Sequence, residues 1–201
     1  MKLGLLGGTF DPVHLGHLVL AETAREQLGL ERVLFVPAGQ PWRKAARRIT
    51  PADHRLAMLR LAVEGNPAFV VETVEMETPG PSYTAETLEW LHGREPSADV
   101  WFVIGEDALA DMPHWHRPER ILALASLVVA RRPQTGRPAG RGESAPAPGG
   151  LSDARLVWLD MPLLGISASA IRERLRRGLS VRYLVPDAVE RYIRENGLYR
   201  A

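Results

Sequence analysis

Two short stretches of this chain carry groups that bind phosphate, in places where a hydrophobic core would have no use for them. The first, GGTFDPVHLGH over residues 7–17, sets paired glycines ahead of two histidines three residues apart. Gly7 and Gly8 let the backbone turn and approach a ligand with no side chain in the way. His14 and His17 can share one side of the first turn of the helix that follows, with Gly16 keeping that side open. The opening N–H groups of a helix lack intrahelical acceptors and sit at the positive end of its dipole. Imidazoles, bare amides and close backbone access together suit phosphate oxygens. The second stretch, GISASAIRERLRRG over 165–178, offers Ser167 and Ser169 as N-cap candidates for a helix with Arg172 in its first turn. Hydroxyls and a guanidinium at a helix N-terminus again make a phosphate site. Two such sites in one chain imply a nucleoside triphosphate held from both ends.

Other chemistries fit less well. A His-x-x-His pair could begin a metal site, but no third ligand at suitable spacing accompanies it, so no protein-held metal is expected. The lysine-bearing Walker pattern and the G-x-G-x-x-G fingerprint are both absent, which argues against an ordinary dinucleotide dehydrogenase. The chain has no cysteine, which removes disulfides, thiol nucleophiles and cysteine-ligated zinc and suits a reducing, cytoplasmic setting. With 25 basic and 24 acidic residues, the net charge of +1 gives no global attraction to nucleic acid. Arg172, Arg174, Arg176, Arg177 and Arg182 crowd the C-terminal part, and most of them read as a solvated helix face. No stretch approaches the roughly 20 apolar residues of a membrane span, and the N-terminus lacks a signal-peptide pattern, so no membrane association is expected.

The elements that must position these groups follow from alternating apolar runs and helical periodicities. Strands are predicted over 2–6, 32–37, 99–105, 126–132 and 154–161, and an extended segment over 68–77. Helices are predicted over 16–28, over 50–65 from a Thr-Pro start, over 82–93 with a stop at Gly93, in a short piece around PERILALA, and near 168–177 and 187–195. This alternation predicts an α/β fold with a doubly wound parallel sheet. One domain over 1–201 is expected, with a small C-terminal helical part at 165–201 carrying the second phosphate motif. In such sheets ligands bind beyond the carboxyl ends of the strands, where the first motif falls. Residues 133–150, PQTGRPAGRGESAPAPGG, are half proline and glycine without a large apolar side chain and read as a flexible loop.

The pair of motifs resembles the nucleotidyltransferase superfamily with an HxGH signature, whose second motif is usually written Ile-Ser-Ser-Thr-x-Ile-Arg. Within it the chain is similar, along almost its whole length, to the bacterial nicotinate mononucleotide adenylyltransferase family. PAGQPWRK (37–44), GPSYTAETL (80–88), IGEDALADMPHW (104–115) and VRYLVPDAVERYI (181–193) continue the match in order. Two positions depart from the pattern. Ala168 and Ser169 replace the usual serine and threonine, losing one hydroxyl and keeping another. Arg43 stands where many members have a histidine before Lys44.

The resemblance implies a Rossmann-like nucleotidyltransferase fold and adenylyl transfer from ATP to nicotinate mononucleotide, releasing pyrophosphate. It implies ATP contacts from Gly7, Gly8, Thr9, Phe10, His14, Gly16, His17, Gly105, Asp107, Ser167, Ser169 and Arg172. His14, His17, Arg172 and Lys44 are the implied catalytic groups, and Asp11 is expected to organise the loop. Thr9, Trp42, Lys44, Tyr83, Thr84 and Trp115 are implied for the nicotinate mononucleotide. Mg²⁺ is implied as the companion of ATP, held mainly by its phosphates, and a homo-oligomer is compatible with the pattern. Another adenylyltransferase of the superfamily, acting on nicotinamide mononucleotide or phosphopantetheine, stays open as an alternative, as does a non-catalytic nucleotide-binding regulator.

Overall fold

Strands whose residues are apolar almost without a break must be buried on both faces, and the central strands of this chain are. In β1 (Lys2–Gly8), Leu3 and Leu5 face one core and Leu6 the other. β2 (Arg32–Pro37) divides likewise, Leu34 and Val36 against Val33 and Phe35. In β4 (Asp99–Gly105), Val100, Phe102 and Ile104 oppose Trp101 and Val103. With β3 (Phe69–Val71), β5 (Ser126–Ala130) and β6 (Leu156–Leu159) these form a six-stranded parallel sheet of order β3-β2-β1-β4-β5-β6. The computed structural model describes residues 1–41, 49–130, 155–162 and 164–200. The loop expected at 133–150 lies outside them.

Helices cover both faces of the sheet, as the doubly wound expectation requires. α1 (Leu15–Leu28), α2 (Ala52–Val63), α7 (Ala168–Arg176) and α8 (Asp187–Glu195) supply Ala21, Met58, Ile171 and Val189 to the first core. The C-terminal helical part therefore packs on the same core as the sheet. On the other face α4 (Thr84–Arg94), α5 (Glu106–Asp111) and α6 (Pro118–Leu124) contribute Leu88, Leu109 and Ile121. β1 lies between β2 and β4, so successive connections leave it in opposite directions. The carboxyl ends of β1 and β4 then open a crevice where the order reverses.

Several boundaries differ from the sequence expectation. The segment 68–77 is extended only over β3; a helical turn, α3 (Val74–Glu77), follows because Met76 and Glu77 N–H groups close onto the Thr73 carbonyl. Its alternation of apolar and acidic residues mimics a strand, but only β2 is available to pair with it. Helix α4 runs through Gly93 to Arg94, since an interior glycine weakens a helix without ending it. Pro51 is the N-cap of α2 rather than its first helical residue. The last strand is shorter than expected, β6 covering 156–159, while β5 occupies Ser126–Ala130 and the remainder of its expected range, 131–132, lies outside the described residues. Residues 106–114 form α5 and a 3₁₀ turn (Met112–His114), both too short to leave a periodic signal.

Beyond the end of β2 the chain passes very close to α3. A Cβ built on Gly39 would lie 2.1 Å from the Glu75 carbonyl oxygen, so only glycine fits unless backbone moves. Gly39→Ala is expected to lower stability in urea unfolding by about 1–3 kcal/mol, the usual range for overpacking against an unyielding neighbour.

Candidate active site

At the crevice between β1 and β4 lies a cavity of about 360 Å³ whose walls include Gly7, Gly8, Thr9, His17 and Gly105. Thr84 at the start of α4, and Trp115 just past the 3₁₀ turn, close its far side. A second cavity of about 170 Å³ adjoins it, lined by Phe10, Asp11, Ala168 and Arg172. Gly8, Thr9 and His17 belong to both. The two motifs, more than a hundred residues apart in the chain, thus face each other across the smaller cavity.

The histidine pair is built by the helix start. His14 is the N-cap of α1 and His17 lies in the first turn; their rings stack with centroids 3.7 Å apart. The His14 backbone N–H donates to His17 Nδ1 at 3.1 Å, which leaves the neutral ring's proton on Nε2. Phe10 holds the other side of His17, edge-on at 5.0 Å, from a left-handed backbone (φ 48°) that non-glycine residues seldom adopt. Gly16 lets His14 lie close: a Cβ there would stand 3.0 Å from His14 Nδ1. That nitrogen is buried and has no hydrogen-bond partner among the described residues. Burial lowers the His14 pKa from 6.5 to about 4, so the ring is neutral at pH 7. Not every opening amide of α1 is available, because the Leu15 N–H donates to the Leu184 carbonyl of the C-terminal segment.

On the facing side Ser167 caps α7, its hydroxyl accepting from the Ala170 N–H. Ser169 lies inside the helix and accepts from Arg172 at 3.1 Å. Arg172 is buried; it also donates to the Asp11 carbonyl at 2.6 Å, which ties the second motif to the first. Arg55 was not singled out by its sequence context. Its buried guanidinium donates to the carbonyls of Thr9, Ala38, Gly39 and Thr50. The available signal was its phase: Arg55 shares the core stripe of α2 with Met58, Leu59 and Val63.

Tyr83 is the N-cap of α4; its ring stacks on His116 and borders a separate cavity of about 220 Å³ behind Thr84. Glu75 and Ser82 line both that cavity and the large one. Burial pushes the Glu75 carboxyl above its ordinary range, against the hydrogen bonds it accepts from Thr87 and Ser82. Trp115 donates its indole N–H to Asp111 and sets an edge against Phe102, leaving it half-buried in the cavity wall. Asp107 lies exposed in the first turn of α5, beyond Gly105. Trp42 and Lys44 lie outside the described residues. Among the described residues no three histidine or carboxylate side chains gather as a metal site, and no helix is long and apolar enough to cross a membrane.

A parallel sheet whose crevice at the reversal point is lined by glycines, histidines and an arginine defines the class as an α/β protein with a polar cleft at the strands' carboxyl ends, and sequence comparison narrows it. The cytidylyltransferase-like family matches residues 5–174, and the chain belongs to it. Among similar curated proteins is the probable nicotinate-nucleotide adenylyltransferase of Thermomicrobium roseum, 47% identical, with 99% of this chain and 92% of the relative aligned. That of Roseiflexus is 45% identical, with 98% of each covered. The fold is shared with the Plasmodium falciparum nicotinic acid mononucleotide adenylyltransferase complexed with NaAD, at a TM-score of 0.79 and 16% identity, covering 98% of this chain and 97% of that one.

The neutral His14 has a measurable consequence. Its folded pKa of about 4 lies below the unfolded 6.5, so as pH falls the unfolded chain takes up a proton that the folded one refuses. Stability is therefore full above pH 6.5 and declines toward pH 4, by about 3 kcal/mol from this group. His14→Gln, which does not titrate there, is expected to flatten the pH dependence of urea unfolding over that window.

Proposed function

We propose that this protein transfers the adenylyl group of ATP to nicotinate mononucleotide, forming nicotinate adenine dinucleotide and pyrophosphate. The observation that carries this reading is the pair of adjoining cavities that share Gly8, Thr9 and His17. One has room for a pyridine nucleoside, and the other lies between the two phosphate motifs. The names of the curated relatives support it over the other adenylyltransferases.

A phosphate oxygen of the mononucleotide attacks the α-phosphorus of ATP; that bond forms as the bond from the α-phosphorus to the bridging oxygen breaks, and pyrophosphate leaves with the electron pair. The attacking phosphate is already largely ionised at neutral pH. The step needs no general base and no protein nucleophile. What the protein supplies is in-line placement and hydrogen bonds to the crowded oxygens. In this reading His17 donates from Nε2 to an α-phosphate oxygen in the transition state, with His14 stacked behind it. Arg172, Ser167 and Ser169 meet the β and γ phosphates from the opposite side, and Thr9 and the Phe10 amide serve the near side. Gly105 and Asp107 face a ribose. Magnesium enters as part of the MgATP substrate, its ligands mainly phosphate oxygens and water. The pyridine lies toward Thr84 and Tyr83, with Trp115 as a stacking face; Trp42 and Lys44, which the resemblance implies for the same substrate, lie outside the described residues.

Two measurements test this. His17→Ala is expected to lower kcat by about 10²–10³, the usual loss for one transition-state donor, while mononucleotide binding stays close to wild type. Near-normal turnover would remove His17 from the reaction. A pyrophosphate-release assay with both mononucleotides is expected to favour nicotinate over nicotinamide. Helix amides welcome a carboxylate, whereas the carboxamide turns its NH₂ toward donors, a difference of at least about tenfold in kcat/KM. Equal efficiency on the two would overturn the carboxylate assignment.

A further inference from the structure

The last described residues reach back to the first motif. Beyond α8, Gly197 takes a left-handed turn (φ 60°) and the Leu198 N–H closes onto the Ile193 carbonyl, so Leu198 and Tyr199 pack against the core. This brings the Tyr199 hydroxyl to Asp11, where it donates to Oδ1 at 2.7 Å across 188 residues of sequence. The other carboxylate oxygen, Oδ2, stands 4.0 Å from the nearest Arg172 nitrogen, although both side chains are buried. A bonded guanidinium–carboxylate pair would be about 2.7–2.9 Å apart. Instead Arg172 is held by the Asp11 backbone carbonyl and the Ser169 hydroxyl, neither of which bears a charge.

We infer that Tyr199 is a positioning residue for the ATP end of the site: by holding the Asp11 carboxylate, it keeps that carboxylate from closing onto Arg172 and cancelling the charge offered to polyphosphate. The inference rests on the reading above, in which Arg172 meets the triphosphate. Its physics is competition. At low dielectric a carboxylate that bonds Arg172 directly is a strong rival to a phosphate, and the closure needed is little more than an ångström. The phenol gives the carboxylate another hydrogen-bond donor and so lowers its gain from moving. Burial and the adjacent Asp11 raise the Tyr199 hydroxyl well above the usual tyrosine range, so the donor keeps its proton.

The test is Tyr199→Phe, which removes one hydroxyl and leaves the packing ring, followed by the double variant Asp11→Asn/Tyr199→Phe. In the single variant the KM for ATP and its Kd by calorimetry are expected to rise about tenfold, while kcat and the mononucleotide KM stay within about twofold. In the double variant ATP affinity is expected to return to within about threefold of wild type, because an amide cannot neutralise Arg172. ATP affinity unchanged in Tyr199→Phe overturns the inference. So does a loss that the second substitution fails to relieve, since the hydroxyl would then act through another contact, such as its hydrogen bond with Thr50. Arg172→Lys separates the two readings. If it weakens ATP binding while Tyr199→Phe does not, only the inference fails; if it leaves ATP binding unchanged, the phosphate role of Arg172 fails and the inference with it.

Discussion

The buried guanidinium of Arg55 joins backbone that the sheet alone would leave loose. Its bonds reach the Thr9 carbonyl after β1, the Ala38 and Gly39 carbonyls after β2, and the Thr50 carbonyl ahead of its own helix. Parallel strands fix their neighbours only as far as the ladder extends, which here is Gly8 opposite Pro37. Beyond that point carbonyls in a crowded interior require donors, and one rigid, planar group serves four of them. Burial depresses the Arg55 pKa from its ordinary value, with Asp11 and Tyr199 acting in the opposite sense. Its charge is thus balanced by converging dipoles, and the wall of both cavities depends on that convergence.

The electrostatics of the site follow from what each group is prevented from doing. His14 is neutral because it is buried, and His17 has Nδ1 turned to a backbone amide, so the pair presents hydrogen-bond donors instead of two cations. Arg172 is tethered by neutral oxygens beside an anion it does not bond. On the proposed reading, a triphosphate entering such a place would meet groups already oriented by neutral oxygens, with the Asp11 carboxylate standing 4.0 Å from Arg172. Preorganisation of this kind lowers the reorganisation that a reaction between anions otherwise requires.

Much of the fold was legible because its signals are local. Apolar runs such as RVLFVP and DVWFVIG gave β2 and β4 with the bounds observed, since a strand buried on both faces has no other composition. α8, an amphipathic helix with Val189 and Ile193 on its core face, was equally plain. The elements missed were short: α3, α5 and the 3₁₀ turn span six residues or fewer, less than periodicity needs, and α3 is packed tightly against Gly39. In the site, the glycines, the histidine pair and the Ser167 cap could be read because a helix start announces itself in neighbouring residues. Arg55 left only the signal of its phase on the core stripe of α2, and Tyr199 left none, because it bonds a partner far along the chain and looks in sequence like a tail aromatic.

The sequence by itself thus determined the class of fold, the two motifs proposed to meet phosphate and the chemistry of the groups they carry. Those depend on residue type and short spacing, which backbone stereochemistry converts directly into geometry. Tertiary structure alone decided that the two motifs face one another across a single small cavity, that His14 is buried enough to stay neutral, and that the end of the chain returns to hold Asp11. Burial and long-range contact are properties of the packed chain as a whole. No local pattern encodes them.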